Sequence, residues 1–99
     1  MVNKPVIKNF SLSDSKLQLY SDEQELQYIF VENVDEDYFS YYNVSAVSSN
    51  SDVVEVYDIA DGEISFVVNG IGEADISVSF GGKQKICHVV VLAAEETEY

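Results

Sequence analysis

NGIGEADISVSFGGK, residues 69–83, is the stretch on which the reading of this chain turns. Gly70 and Gly72 open it like a glycine-rich phosphate loop; the alternative is two turns with a strand between them. A phosphate loop needs a helix after the glycines, because the helix N-terminus supplies unpaired N–H groups and a favourable dipole. These glycines lead instead into Glu73-Ala74-Asp75-Ile76-Ser77-Val78-Ser79-Phe80. Ala74, Ile76, Val78 and Phe80 are apolar at every second position with polar residues between them, which is the period of a half-buried strand. Asp75 also stands where the phosphate fingerprint has its third glycine, and Glu73 and Asp75 would repel a phosphate. The glycines are turn residues.

The same pattern recurs on both sides. Val6–Phe10 is predicted as a first strand after Pro5, and Lys16–Tyr20 alternates in the same way. Leu26–Val31, Asn43–Ser48 and Val53–Tyr57 come next, separated by acidic or serine-rich turns. Asp61-Gly62 is a hairpin signal opening Ile64–Val68. The Gly81-Gly82 turn joins Ala74–Phe80 to a last strand over 83–92. About seven short strands spaced roughly ten residues apart predict an all-β chain, an immunoglobulin-like antiparallel β-sandwich. A single domain is expected over residues 1–92, with an acidic tail at 93–99. The predicted core is Leu17, Leu19, Tyr28, Phe30, Val44, Val53, Val56, Ile64, Phe66, Ile76, Val78, Cys87, Val89 and Val91.

Ninety-nine residues, 46% of them apolar, suit one folded domain despite a net charge of −13,. No apolar run approaches the roughly 20 residues that cross a bilayer, so no membrane insertion is expected. All five basic residues are lysines, at 4, 8, 16, 83 and 85; between Leu17 and Gly82 there are fourteen acids and no Lys or Arg. Such a surface repels nucleic acid, and no nucleic-acid partner is expected. Solubility accounts for most of the acid. If the lysine clusters lie together, they form a basic patch that orients docking.

The second half of the chain resembles the group 2 bacterial immunoglobulin-like domains. NVSAVSSNSDVVEV at 43–56, DGEISFVVNGIGEADISVSF at 61–80 and GGKQKICHVVV at 81–91 carry the resemblance. Ser48-Ser49-Asn50, Val53, Val56, Gly62, Gly72, Ala74, Ile76 and Cys87 match in order. Three features depart from the pattern. Ala46 replaces a usual tryptophan, Ser51 replaces a usual proline, and the Val68-to-Gly72 connection is slightly long. The resemblance implies spacer or binding modules, found in bacterial surface adhesins and in tail, capsid or fibre proteins of phages. It transfers core and turn residues and no catalytic site.

Cys87 and His88 are neighbours on a strand and point to opposite faces, so they form no nucleophile–base dyad. Cys87 belongs to the apolar face and reads as a small hydrophobe; His88 reads as a surface residue. One His, one Cys and no Arg assemble no catalytic set, and neither metal nor cofactor is expected. Asp35-Glu36-Asp37 lacks the spacing of a calcium loop and reads as a solvated acidic turn. The outer face of the last strand carries Ile86, Val90 and Leu92, an apolar row to be covered by the first strand or by another chain.

Tyr38, Phe39, Tyr41 and Tyr42 fall in a connection between strands. They either close the sandwich end as a lid or anchor a partner, since aromatic rings bury area at little entropy cost. With Lys83 and Lys85 they are the candidate partner-binding residues. The expected function is a non-enzymatic structural or interaction protein, an immunoglobulin-like accessory subunit of a phage virion made in the host cytoplasm. That expectation rests on the family-like sandwich, the starting methionine, and the absence of an export signal and of a cell-wall anchor. The alternative is a spacer or binding domain of a secreted or cell-surface adhesin or carbohydrate-binding protein. A protein partner is expected, and a surface glycan is the second candidate.

Overall fold

The computed structural model describes residues 6, 7 and 9–94. Among these residues, eight strands form two four-stranded sheets packed face to face. In chain order they are β1 (Ser11–Leu12), β2 (Lys16–Tyr20), β3 (Gln27–Glu32), β4 (Ser45–Ser48), β5 (Val54–Ala60), β6 (Glu63–Val68), β7 (Gly72–Phe80) and β8 (Lys83–Leu92). One sheet runs β1-β3-β6-β5 and the other β2-β8-β7-β4. The all-β immunoglobulin-like sandwich expected from the sequence is thus the observed architecture. One pairing departs from antiparallel order: β2 lies parallel to β8, from Lys16 opposite His88 to Tyr20 opposite Leu92.

Two hairpins set the register. Phe80 pairs with Lys83 across Gly81-Gly82, whose φ angles of 58° and 79° are the positive values that a tight primed turn demands,. Ala60 pairs with Glu63 across Asp61-Gly62, with Asp61 at φ 53°. These turns dictate the alternation of β7 and β8: Ala74, Ile76, Val78, Phe80, Cys87, Val89 and Val91 all point inward and are buried. Ile64 and Phe66 meet them from β6.

Two predicted segments differ. Val6, Ile7, Asn9 and Phe10 carry no strand; among the described residues, pairing near here is limited to the two-residue β1 with β3. Ile7 and Phe10 are buried, three positions apart, so the segment plugs the sandwich instead of alternating along a sheet. In β3 the phase is opposite to that predicted. Ile29 is completely buried beside Ile64, whereas Tyr28 and Phe30 are each 44% exposed and stack on one another outside, ring centroids 6.4 Å apart. Leu17, Leu19, Val44 and Val56 pack against the core only half-buried, and Ile7, Phe10, Val54, Ala74 and Phe80 are buried residues outside the predicted set. The edge of β8 is taken by β2, yet Ile86 and Leu92 on its outer face remain exposed.

At the far corner, the Ser48-Ser49-Asn50 turn is fastened to the sandwich. The Asn50 carbonyl accepts from the Val53 and Val54 N–H groups, both at 3.1 Å. Asn69 donates from Nδ2 to the Ser51 carbonyl at 2.8 Å. The glycines that resemble a phosphate loop in the sequence form a turn that opens β7.

Candidate functional site

The β3–β4 connection contains a short 3-10 helix, Glu36–Ser40. The Asp35 carboxylate caps it by accepting from the Asp37 N–H at 3.3 Å, so the acidic triplet serves as a turn former at the helix start. This turn delivers the aromatic residues to the end of the sandwich that also holds the Asp61-Gly62 and Gly81-Gly82 hairpins. Phe39 reaches the turns of both sheets. Its ring stacks on Phe80 of β7 at 5.0 Å, and its edge occupies the space where a side chain at Gly62 would begin. Phe10 and Tyr42 meet the Phe80 ring edge-on at 6.0 and 6.1 Å.

Of the four aromatic candidates, Tyr38, Phe39 and Tyr42 are half-buried against the core, and Tyr41 is exposed. Lys83 begins β8 directly opposite Phe80 and is exposed; Lys85 lies opposite Val78 and is half-buried. The aromatic loop and both lysines therefore occupy one end of the molecule. A cleft of about 330 Å³ opens beside the aromatic loop, lined by Phe39, Tyr42, Asn43, Val44, Ile59 and Asp61. Lys16 lies on the outer face of β2, opposite His88; Lys4 and Lys8 fall outside the described residues. Ile7 packs on Gly81, which brings the N-terminal segment to this same end.

A second cluster lies on the outer face of the β2-β8-β7-β4 sheet. His88 is held from both sides, Nδ1 at 2.6 Å from Asp75 Oδ1 and Nε2 at 2.9 Å from Glu73 Oε1. With a carboxylate accepting at each nitrogen, both ring nitrogens act as donors and the imidazolium is favoured. The hydrogen bond to Asp75, then that to Glu73, raises the His88 pKa above its ordinary value,. The sequence signal for this pairing was present: counting back from the Gly81-Gly82 turn sets Asp75 opposite His88. Cys87, on the other face, is buried, and its thiol is pushed up to about 11 by desolvation, with Asp14 and Asp75 adding to the effect.

No family model and no curated protein matches the chain. Among solved structures it is similar to domains 4 and 5 of the S-layer protein SbsC, with a TM-score of 0.68 and 15% identity. The match covers 90% of this chain and 54% of that one, so the chain spans about half the length of the structure it matches. At this identity the likeness is one of fold. Among the described residues, no helix is long and apolar enough to cross a membrane.

Proposed function

We propose that the chain is a non-enzymatic structural module that presents a docking surface within a protein assembly on a bacterial cell surface. The observation that carries this reading is the extent of the fold likeness: one whole sandwich here corresponds to about half of a two-domain S-layer segment. A module of that kind adds length and contact surface to a larger assembly, and its own core makes it fold as a unit. The resemblance to group 2 bacterial immunoglobulin-like domains implies the same role on either of two surfaces, a bacterial cell or a phage virion. The S-layer likeness favours the cell.

The loop end supplies the docking surface. Tyr41 and Lys83 are exposed there beside a rigid aromatic cluster, which is the combination of a fixed base and free anchors that an interface uses. The His88 cluster fits a structural role as well, since its carboxylates tie β7 to β8 on the outer face.

Immunogold labelling of intact cells that express the protein from its own gene tests this placement. Label on the outer surface of cells is expected. Label confined to the cell interior would reject the reading, and label on purified virions would move the module to the phage surface.

A further inference from the structure

The outer face of the β1-β3-β6-β5 sheet carries a groove with walls of different strands. The register aligns Tyr28 of β3, Ser65 of β6 and Asp58 of β5 in one row across the sheet, with Phe30, Glu63 and Ala60 in the next. The pairing of β5 with β6 is irregular between Val56 and Asp58, and this bulge leaves Tyr57 68% exposed at the groove,. Ser65 forms the floor: it is buried, and its Oγ donates to the Asp58 carbonyl at 3.2 Å, which fixes the strand beside the bulge. A small floor between aromatic walls leaves a hollow of about 220 Å³. Tyr28 and Tyr57 stand on strands two apart, so about 10 Å separates their backbones. A planar cation between them would lie within the roughly 6 Å of each ring over which the ring quadrupole attracts it.

Charge selects the occupant. Asp58 and Glu63 lie at the groove, and no Lys or Arg occurs anywhere from Leu17 to Gly82. Among the described residues neither carboxylate has an ion-pair partner. An apolar ligand would strip water from these carboxylates and return nothing, whereas a cation satisfies both them and the rings. A second copy of the chain seated on this face would bring like charges together. We propose that this groove docks the arginine side chains of a basic segment of a partner protein. Arginine suits it better than lysine, because a flat guanidinium stacks on the rings while its fork reaches the carboxylates. The inference concerns the isolated chain and is independent of the surface on which the module is displayed.

The test is an amide-shift NMR titration of the full chain with the blocked peptide Gly-Arg-Gly-Arg-Gly and with its Gly-Gln-Gly-Gln-Gly counterpart. Shifts centred on Tyr28, Tyr57 and Ser65 are expected with the arginine peptide alone. Tyr57→Ser weakens that binding about two- to fivefold, the range of one exposed cation–π contact, and Val47→Ser, at an exposed position on the other sheet, leaves it unchanged. Because Tyr57 is exposed, the variant's thermal melt should match that of the parent, so a loss of binding is not a loss of fold. Shifts scattered over the acidic surface and indifferent to Tyr57→Ser would overturn the proposal. So would equal binding of the glutamine peptide or of the neutral sugar cellotetraose at the same residues.

Discussion

The ring of Phe39 lies stacked on that of Phe80, with centroids 5.0 Å apart and planes at 28°. This contact joins a loop to the end of a central strand, and it separates two roles that the sequence left entangled. The aromatic run at 38–42 reads either as a lid or as a contact surface; Tyr38, Phe39 and Tyr42 pack against the core as a lid does, and Tyr41 is exposed. Phe39 and Tyr42 close over Phe80, while Tyr41 is turned to solvent.

Truncation should separate these roles energetically. Phe39→Ala removes the stacked ring and opens a void against Phe80, for a loss of about 3 kcal/mol. Tyr41→Ala, at a position 37% exposed, should cost less than about 1 kcal/mol,. Urea unfolding of the two variants measures both, and an equal loss for Tyr41→Ala would mean that its ring also belongs to the lid.

The phase of β3 marks the limit of what alternation reveals. In β7 only one set of alternating positions is apolar, so the inward face is legible. In Leu26–Val31 both sets are: Leu26, Tyr28 and Phe30 on one, Ile29 and Val31 on the other. Periodicity has nothing to choose between, and tertiary pairing decides. Ile29 is set against Ile64 in the core, and the larger rings remain outside. Ile29→Ala should therefore cost about 3 kcal/mol, within the range for buried aliphatic truncation. Phe30→Ala should cost less than about 1 kcal/mol. A reversed order in denaturant melts would restore the phase predicted from the sequence.

The N-terminal segment and the candidate site were hidden for a different reason. Ile7 and Phe10 are three apart and plug the sandwich end, a contact with Gly81 and Phe80 that no local pattern announces. Lys83 and Lys85 could be placed on a strand from the sequence, but their nearness to the aromatic loop depends on how the two sheets stack.

Two glycines should respond in opposite ways. A Cβ at Gly70 would lie 2.8 Å from the Asp52 carbonyl oxygen, a backbone atom held in the corner turn. Gly70→Ala should cost about 1–3 kcal/mol, as overpacking does. Gly82 has φ 79° and open space around it. Asparagine tolerates that conformation, so Gly82→Asn should melt within about 2 °C of the parent. Thermal scans of the pair check both, and a mild Gly70→Ala would show that the corner can open.

Cys87 should be inert in the native state. It is buried, and its thiol pKa of about 11 leaves little thiolate near neutrality,. Treatment with iodoacetamide at pH 8, read by mass spectrometry, should leave the folded protein unmodified and alkylate it once urea unfolds it. Rapid labelling of folded protein would place the thiol in contact with water.

The His88 cluster makes stability depend on pH in a defined direction. The folded pKa is raised above the ordinary 6.5 by the hydrogen bonds to Asp75 and then Glu73. The folded state therefore binds the proton more tightly than the unfolded chain. Its contribution is fully present below pH 6.5 and is lost as pH rises through the folded value. Lys16, opposite His88 on β2, is a like charge to the imidazolium and lies on the far side from the two acids. His88→Gln keeps a polar side chain but cannot carry the charge. The difference in unfolding free energy between parent and variant should be largest below pH 6.5 and should shrink steadily above it. A difference that is flat from pH 5.5 to 9, or that grows with pH, would show that the two carboxylates do not hold a protonated ring.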